Sequence, residues 1–124
     1  MSPQEFDALV ERAWRAIPPR FRRRLKNVAL VVEPEPSAAQ LAAGKVQPGG
    51  TLLGLYQGRP LTARSVFDSF ALPDRIFIFQ GPHERLARNR AHLEKLVAAT
   101  VWHEVAHYFG MDERRVRAAE RRRR

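Results

Sequence analysis

Apolar side chains near the start of the chain recur every three or four positions, the period of one face of an α-helix. These positions are Phe6, Leu9, Val10, Ala13, Trp14 and Ile17. The preceding Ser2-Pro3-Gln4-Glu5 combines three signals of a helix start: a Ser cap, a Pro at the first helical position and a Glu three residues after the cap. We predict an amphipathic helix that runs to about Ala16 and is stopped by Pro18-Pro19.

Three short runs rich in β-branched, aliphatic and aromatic residues predict β-strands. They cover residues 27–33, 51–56 and 75–80, and Pro or Gly follows closely after each run. Residues 34–50 contain three Pro and three Gly, which predicts a loop with room for one short helical turn. Residues 61–74 fit neither pattern.

The last part of the chain returns to helical periodicity from about Pro82 to Phe109, and Gly110 is placed to end this helix in a left-handed conformation. The predicted fold is therefore α+β: an N-terminal helix, a small sheet of three or slightly more strands, and a long C-terminal helix. We assign residues 1–116 to one domain and residues 117–124 to an Arg-rich, frayed tail.

Composition narrows the class of protein. The 124 residues are 44% hydrophobic and 28% charged, which is typical of a soluble globular protein. We expect no membrane span, because no apolar run approaches 18 residues. We expect no secretory signal, because the N-terminus has no basic region followed by an apolar stretch. The absence of cysteine excludes disulfides, thiolate metal sites and cysteine nucleophiles, and it favours the cytoplasm.

The net charge of +9 is concentrated at one end of the chain. Residues 114–124 contain seven Arg and one Glu, whereas residues 1–113 contain 15 basic and 12 acidic residues. The basicity is thus mainly a property of the tail. Because residues 121–124 also lack interleaved aromatic residues, we do not expect specific binding of nucleic acid.

The strongest chemical signal is the pattern His-Glu-x-x-His at His103, Glu104 and His107. Residues four apart on a helix lie one turn apart on the same face, so both imidazoles can bind one zinc ion at about 2.0–2.1 Å. Glu104 projects about 100° further around the axis, beside the ion without binding it. Zinc acidifies a water molecule, and the carboxylate accepts its proton and delivers it to a leaving amine.

The sequence around this pattern favours a metal site over an exposed helix end held by salt bridges, which is the alternative. The pattern lies within an apolar helix, where two imidazoles and a carboxylate need partners. Gly110 lets the chain turn back three residues after His107, and Asp112 and Glu113 follow where a third ligand is needed.

The sequence gives weaker support to the other candidate site residues. His92 lies about 16 Å along the helix from His103, too far to share an ion. His83, beside Pro82, is expected in a turn at the surface. Tyr56 is a candidate substrate contact, with a packed structural role as the alternative. Ile78 is a second candidate, because an extended peptide could add to the edge of the strand formed by residues 76–80.

The chain resembles the small bacterial zincin-like metallopeptidases. The resemblance rests on three motifs in the same order: the segments 54–62, beginning Gly54-Leu55-Tyr56, 73–76, which is Pro73-Asp74-Arg75-Ile76, and 103–113, beginning His103-Glu104. It covers roughly residues 50–115. It implies a minimal zincin fold, zinc held by His103, His107 and an acid after Gly110, and Glu104 as the catalytic base.

The third ligand follows from the same resemblance. Extended zincin motifs place it six residues after the second His, where this chain has Glu113, although Asp is usual in this family. Asp112 is the alternative, and it has a credible structural role in the turn after the helix. We expect Glu113 to be the ligand.

The sequence therefore predicts a cytoplasmic, zinc-dependent peptidase that hydrolyses peptide or protein substrates, with no membrane partner. The alternative is a non-catalytic protein of the same fold, in which zinc stabilises a binding surface.

Overall fold

The computed structural model describes residues 1–58 and 74–110. Within them the chain has the predicted α+β fold: an N-terminal helix, a three-stranded sheet and a long C-terminal helix. The elements in order are α1 (Pro3–Arg15), α2 (Pro19–Arg22), β1 (Val28–Glu33), α3 (Ala38–Ala43), β2 (Gly54–Gln57), β3 (Asp74–Phe79), α4 (Gln80–Leu86) and α5 (Arg90–Tyr108). The predicted domain boundary at residue 116 lies outside the described residues.

Helix α1 begins as its sequence predicts. The backbone N–H of Glu5 donates to Oγ of Ser2 at 3.1 Å, and the backbone N–H of Ser2 donates to Oε1 of Glu5 at 3.2 Å. This reciprocal capping satisfies amide groups that the first turn leaves without partners. The apolar face of the helix is buried through Phe6, Leu9 and Val10.

The sheet of the described residues has the order β1-β3-β2. Strand β3 is central and pairs in parallel with β1, where Val31 lies opposite Phe77, and antiparallel with β2, where Leu55 lies opposite Phe77. Because side chains alternate along a strand, Ile76 and Ile78 face one side of the sheet and Phe77 and Phe79 the other.

The main core lies between the sheet and helices α1 and α5. Ile76 and Ile78 pack there against buried residues of both helices, namely Phe6, Leu9, Val10, Leu93, Val97, Val101, Trp102 and Val105. A smaller cluster on the opposite side of the sheet contains Leu55, Phe77 and Phe79. Helix α5 is therefore fixed against the sheet along most of its length, which gives its C-terminal turns a rigid support.

The C-terminal helical region differs from its prediction. It is two helices instead of one, separated at residues 87–89, and α4 follows β3 directly with Pro82 in its first turn. The side chain of Asn89 accepts a hydrogen bond from the backbone N–H of His92 at 2.8 Å and caps α5. Asn favours this capping position over a helix interior, which explains the break.

Other boundaries also move. Strand β2 begins at Gly54, later than predicted, and the basic residues after Pro18 include the unpredicted short helix α2. The short turn expected in the loop is α3, which Ser37 and Gln40 cap reciprocally. None of the described helices is both long and apolar enough to cross a membrane.

Candidate metal centre

The C-terminal half of α5 brings His103, Glu104 and His107 together. One potential ligand atom from each residue lies within 4.8 Å of the other two. The two imidazole rings have centroids 4.6 Å apart, as expected for residues one helical turn apart. The helix ends at Tyr108, and Gly110 adopts the predicted left-handed conformation, with φ of 74°.

The three side chains differ in burial. Glu104 is almost completely buried, whereas His103 and His107 are half-buried. Oε1 of Glu104 lies 3.2 Å from Nδ1 of His107. A buried carboxylate is costly unless it is paired. The imidazole of His107 provides that pairing and leaves the carboxylate at the boundary between core and solvent.

Gly54 of β2 packs directly against this part of α5. A β-carbon on residue 54 would lie 2.6 Å from Cγ2 of Thr100, 3.1 Å from the carbonyl oxygen of Phe77 and 3.2 Å from Cγ of Glu104. Only glycine lets the strand approach so closely. The sequence held a signal for this contact, because glycine inside a strand often marks a close backbone approach.

A cleft of about 400 Å³ opens between α5 and the chain that leads into β2. His103 and Glu104 lie on its wall, together with Thr51, Leu52, Leu53, Gly54, Leu96, Ala99 and Thr100. Four of the lining side chains are aliphatic: Leu52, Leu53, Leu96 and Ala99. The arrangement of two polar, chemically active groups beside a largely apolar recess is typical of small-molecule and peptide-binding sites.

His83 is buried, and the prediction that it lies at the surface is wrong. It belongs to α4 and is completely inaccessible to solvent. Its Nδ1 lies 2.7 Å from the carbonyl oxygen of Phe79, and its Nε2 lies 2.8 Å from Oγ1 of Thr100. The carbonyl can only accept, so Nδ1 carries a proton.

Burial lowers the pKa of His83, against a smaller opposing contribution from the hydrogen bond to Phe79. The neutral form of the ring therefore accepts at Nε2 from the hydroxyl of Thr100. That hydroxyl also lies 2.8 Å from the carbonyl oxygen of Leu96, so two acceptors share its single proton. This buried network links α4 to the wall of the cleft.

Tyr56 is half-buried, and its hydroxyl donates to Oδ2 of Asp74 at 2.7 Å. Its ring also packs edge-to-face on that of Tyr108, with centroids 6.3 Å apart. These contacts favour the structural role for Tyr56 over the substrate contact.

The prediction for Ile78 is wrong. Its side chain is completely buried in the main core, and β3 has paired strands on both sides, so a peptide cannot add to its edge. Strand β2 contacts Glu104 through Gly54. His92 lies about three helical turns from His103, as predicted, and its ring accepts a hydrogen bond from the backbone N–H of Arg88 at 3.0 Å.

Comparison with known proteins agrees with this geometry. The sequence model of the zincin-like metallopeptidase family matches residues 25–123. The chain belongs to this family. A conserved hypothetical protein from Thermus thermophilus has a similar structure, with a TM-score of 0.58 and 26% sequence identity over 88% of this chain and 94% of that protein. No curated protein matches the chain.

The donor set fits the metal that zincin-like proteins use. Imidazole nitrogen and carboxylate oxygen are ligands that zinc accepts, and the chain has no cysteine to compete with them. One ligand atom from each of His103, Glu104 and His107 lies within 4.8 Å of the others, a separation that suits ligands of one ion. Gly54 packs against Glu104 and restricts the position of its carboxylate.

The third ligand expected for a zincin-like protein lies outside the described residues. Both Asp112 and Glu113 fall there, so the preference for Glu113 stays a prediction. The structure does show that the helix ends and the chain turns where the motif requires, at Gly110.

Proposed function

We propose that this zincin-like protein is a cytoplasmic, zinc-dependent peptidase. The observation that supports the proposal most strongly is the placement of Glu104: a nearly buried carboxylate between two half-buried imidazoles, on the wall of an apolar cleft. A general base needs a fixed position and an open path to its proton donor. Packing against Gly54 supplies the first, and the cleft supplies the second.

The residues of the centre have two proposed roles, metal binding and proton transfer. His103 and His107 would hold the ion through ring nitrogens, with Glu113 as the proposed third ligand and Asp112 as the alternative. When bound, zinc acts as a Lewis acid that polarises the peptide carbonyl and makes water more acidic. Glu104 accepts a proton from the attacking water at a carboxylate oxygen and delivers it to the leaving nitrogen.

The cleft supports a polypeptide substrate with an uncharged side chain near the scissile bond. Leu52, Leu96 and Ala99 contribute apolar surface beside Glu104. A charged side chain would lose its hydration there without gaining a partner among these three residues. We infer that the cleft accepts an aliphatic side chain of the substrate.

One observation favours a second candidate, a zinc-stabilised binding protein without catalysis. Glu104 is close enough to both histidines to bind the ion itself. With a further acid, this would complete a closed site of four protein ligands, the form that structural zinc sites take.

Replacement of Glu104 by Gln separates the two candidates. The amide cannot accept a proton, so Glu104→Gln should retain zinc and the fold but lose hydrolysis of an unbiased peptide mixture, measured by mass spectrometry. Glu94→Gln, on an exposed position of the same helix, is the matched control and should hydrolyse normally. Loss of zinc in Glu104→Gln supports the structural site, and hydrolysis at the wild-type rate contradicts the role of Glu104 as base.

A further inference from the structure

A strongly basic segment lies at residues 20–26. It contains Arg20, Arg22, Arg23, Arg24 and Lys26, and no acidic residue occurs anywhere from position 12 to position 32. All five cations are exposed. The basic segment is therefore a second concentration of positive charge, distinct in sequence from the C-terminal tail.

The ion pairs in the described part of the chain join residues outside the basic segment, such as Arg12 to Glu94 and Arg85 to Glu35. The two apolar residues of the segment, Phe21 and Leu25, pack instead against the main core. The segment thus has a half-buried apolar side that anchors it and a charged side that faces solvent.

The anchor lies beside the candidate metal centre. The ring of Phe21 packs edge-to-face on Trp102, with centroids 5.2 Å apart, and on Phe109, with centroids 5.6 Å apart. The hydroxyl of Tyr108 donates to the carbonyl oxygen of Arg24 at 3.1 Å. Trp102 precedes His103 and Tyr108 follows His107, so the helical turn that carries both histidines also fixes the basic segment.

We propose that the basic segment is a docking site for an acidic stretch of the polypeptide substrate. This inference rests on the proposed peptidase function, whose substrate class it narrows. Exposed cations, held together on a rigid support, attract and orient a chain of opposite charge. The cleft beside Glu104 accepts an aliphatic side chain, and the basic segment accepts carboxylates further along the same substrate.

The dimensions are consistent with a single extended substrate. A helix with its side chains is about 10–12 Å across. A peptide extends by about 3.3–3.6 Å per residue, so it needs at least about three or four residues to span the width of α5. We expect the acidic residues of the substrate at this separation from the scissile bond.

An acidic polypeptide fits this surface better than nucleic acid does. Proteins that bind single strands combine cations with aromatic rings on which bases stack. The aromatic ring of the basic segment, Phe21, is half-buried against Trp102 and Phe109, and the guanidinium of Arg20 lies over it, with Cζ 5.0 Å from the ring centroid. The surface offers charge without a stacking platform.

Binding of defined probes tests the proposal without requiring catalysis. The protein is the full chain carrying Glu104→Gln, and the probe is a fluorescent peptide of about 12 residues containing a cluster of Glu, compared with the same peptide containing Gln. The test variant adds Arg22→Gln, Arg23→Gln and Arg24→Gln. The matched control adds Arg88→Gln, Arg90→Gln and Lys95→Gln, three exposed cations near the opposite end of α5.

We expect fluorescence anisotropy at low salt to show a loss of affinity for the Glu peptide of about tenfold in the test variant and at most about twofold in the control. Arg→Lys replacements at positions 22–24 retain the charge and should retain binding. Every protein carries the same C-terminal tail, so the contribution of the tail cancels.

Three results would overturn the proposal. Equal losses of affinity in the two triple variants would show that binding depends only on the net charge of the protein. Equal affinity for the Glu and Gln peptides would show that the segment does not recognise carboxylates. Tighter binding of a single-stranded oligonucleotide of equal charge, with the same dependence on Arg22–Arg24, would assign the surface to nucleic acid. A separate failure to hydrolyse peptides would contradict the proposed function and leave these binding results intact.

Discussion

Gly54 and Glu104 pack together in the wall of the cleft so closely that a β-carbon on residue 54 would lie 3.2 Å from Cγ of Glu104. The same β-carbon would lie 2.6 Å from Cγ2 of Thr100. The position of the proposed base therefore depends on a missing side chain in the neighbouring strand as well as on its own helix.

Replacement of Gly54 by Ala should push α5 away from β2. Overpacking of this kind costs about 1–3 kcal/mol, which urea unfolding measures. Thr100→Ser removes the nearest methyl group and keeps the hydroxyl that contacts His83. We expect the double variant Gly54→Ala/Thr100→Ser to be less destabilised than the sum of the single changes. Strict additivity would show that the clash is relieved elsewhere.

Removal of either proposed histidine ligand should abolish tight zinc binding. We expect His103→Ala and His107→Ala to lose zinc in metal analysis, whereas His92→Ala, which changes a residue outside the centre, should retain it. A ligand bound only by the native state stabilises it by about 2.7 kcal/mol at about a hundred times its dissociation constant. Zinc should therefore raise the melting temperature of the wild type and of His92→Ala. It should not raise that of His103→Ala or His107→Ala.

The third ligand is tested by zinc titration of three variants. Glu113→Ala should weaken zinc affinity by at least about tenfold, and Glu113→Asp should retain part of it, because both acids provide a carboxylate oxygen. Asp112→Ala is the matched control. If Asp112→Ala loses zinc while Glu113→Ala binds normally, the ligand is Asp112.

Stability should depend on the protonation of His83. Its native pKa is lowered by burial from an ordinary value of 6.5. Between about pH 6.5 and the lower native pKa, the unfolded chain therefore binds more protons than the native protein does. The stability that His83 contributes above this pH range is lost as the pH falls through it. The largest slope for one proton is about 1.4 kcal/mol per pH unit.

The measurement is urea unfolding of metal-free protein between about pH 5 and 8, with wild type compared to His83→Gln. The other histidines are common to both proteins, so the difference between the two curves reports His83. We expect the wild type to lose more stability than the variant on acidification. Parallel curves would contradict a depressed pKa at this position.

Features encoded within a few neighbouring residues were predicted well from the sequence. Ser2 and Glu5 carry the whole capping signal of α1, and Gly110 carries that of the end of α5. The spacing of His103 and His107 likewise needs only a helix to bring two imidazoles together. The break between α4 and α5 also had a local signal, the capping residue Asn89. The prediction missed it because the apolar pattern continues through this position.

Features that depend on the packing of distant segments were predicted poorly. His83 is buried because α4 packs on α5. The residues next to it in the sequence do not indicate that Thr100 is its hydrogen-bond partner. The prediction that Ile78 lies on an edge strand is wrong because the apolar pattern of a single strand does not determine the order of strands in the sheet. The importance of Gly54 also emerges only once β2 lies against α5.

The strand order has a further consequence for the assembly of the chain. Phe77 pairs with Leu55 on one side and with Val31, much more distant in sequence, on the other. Closing a longer loop costs only about 0.6 kcal/mol for each doubling of length, but this entropy is lost before the contacts form and thus slows folding. The β2–β3 pair can form first, with β1 docking late. Because β1 and β2 lie on opposite sides of β3, late docking of β1 would not require β2 to move away from α5.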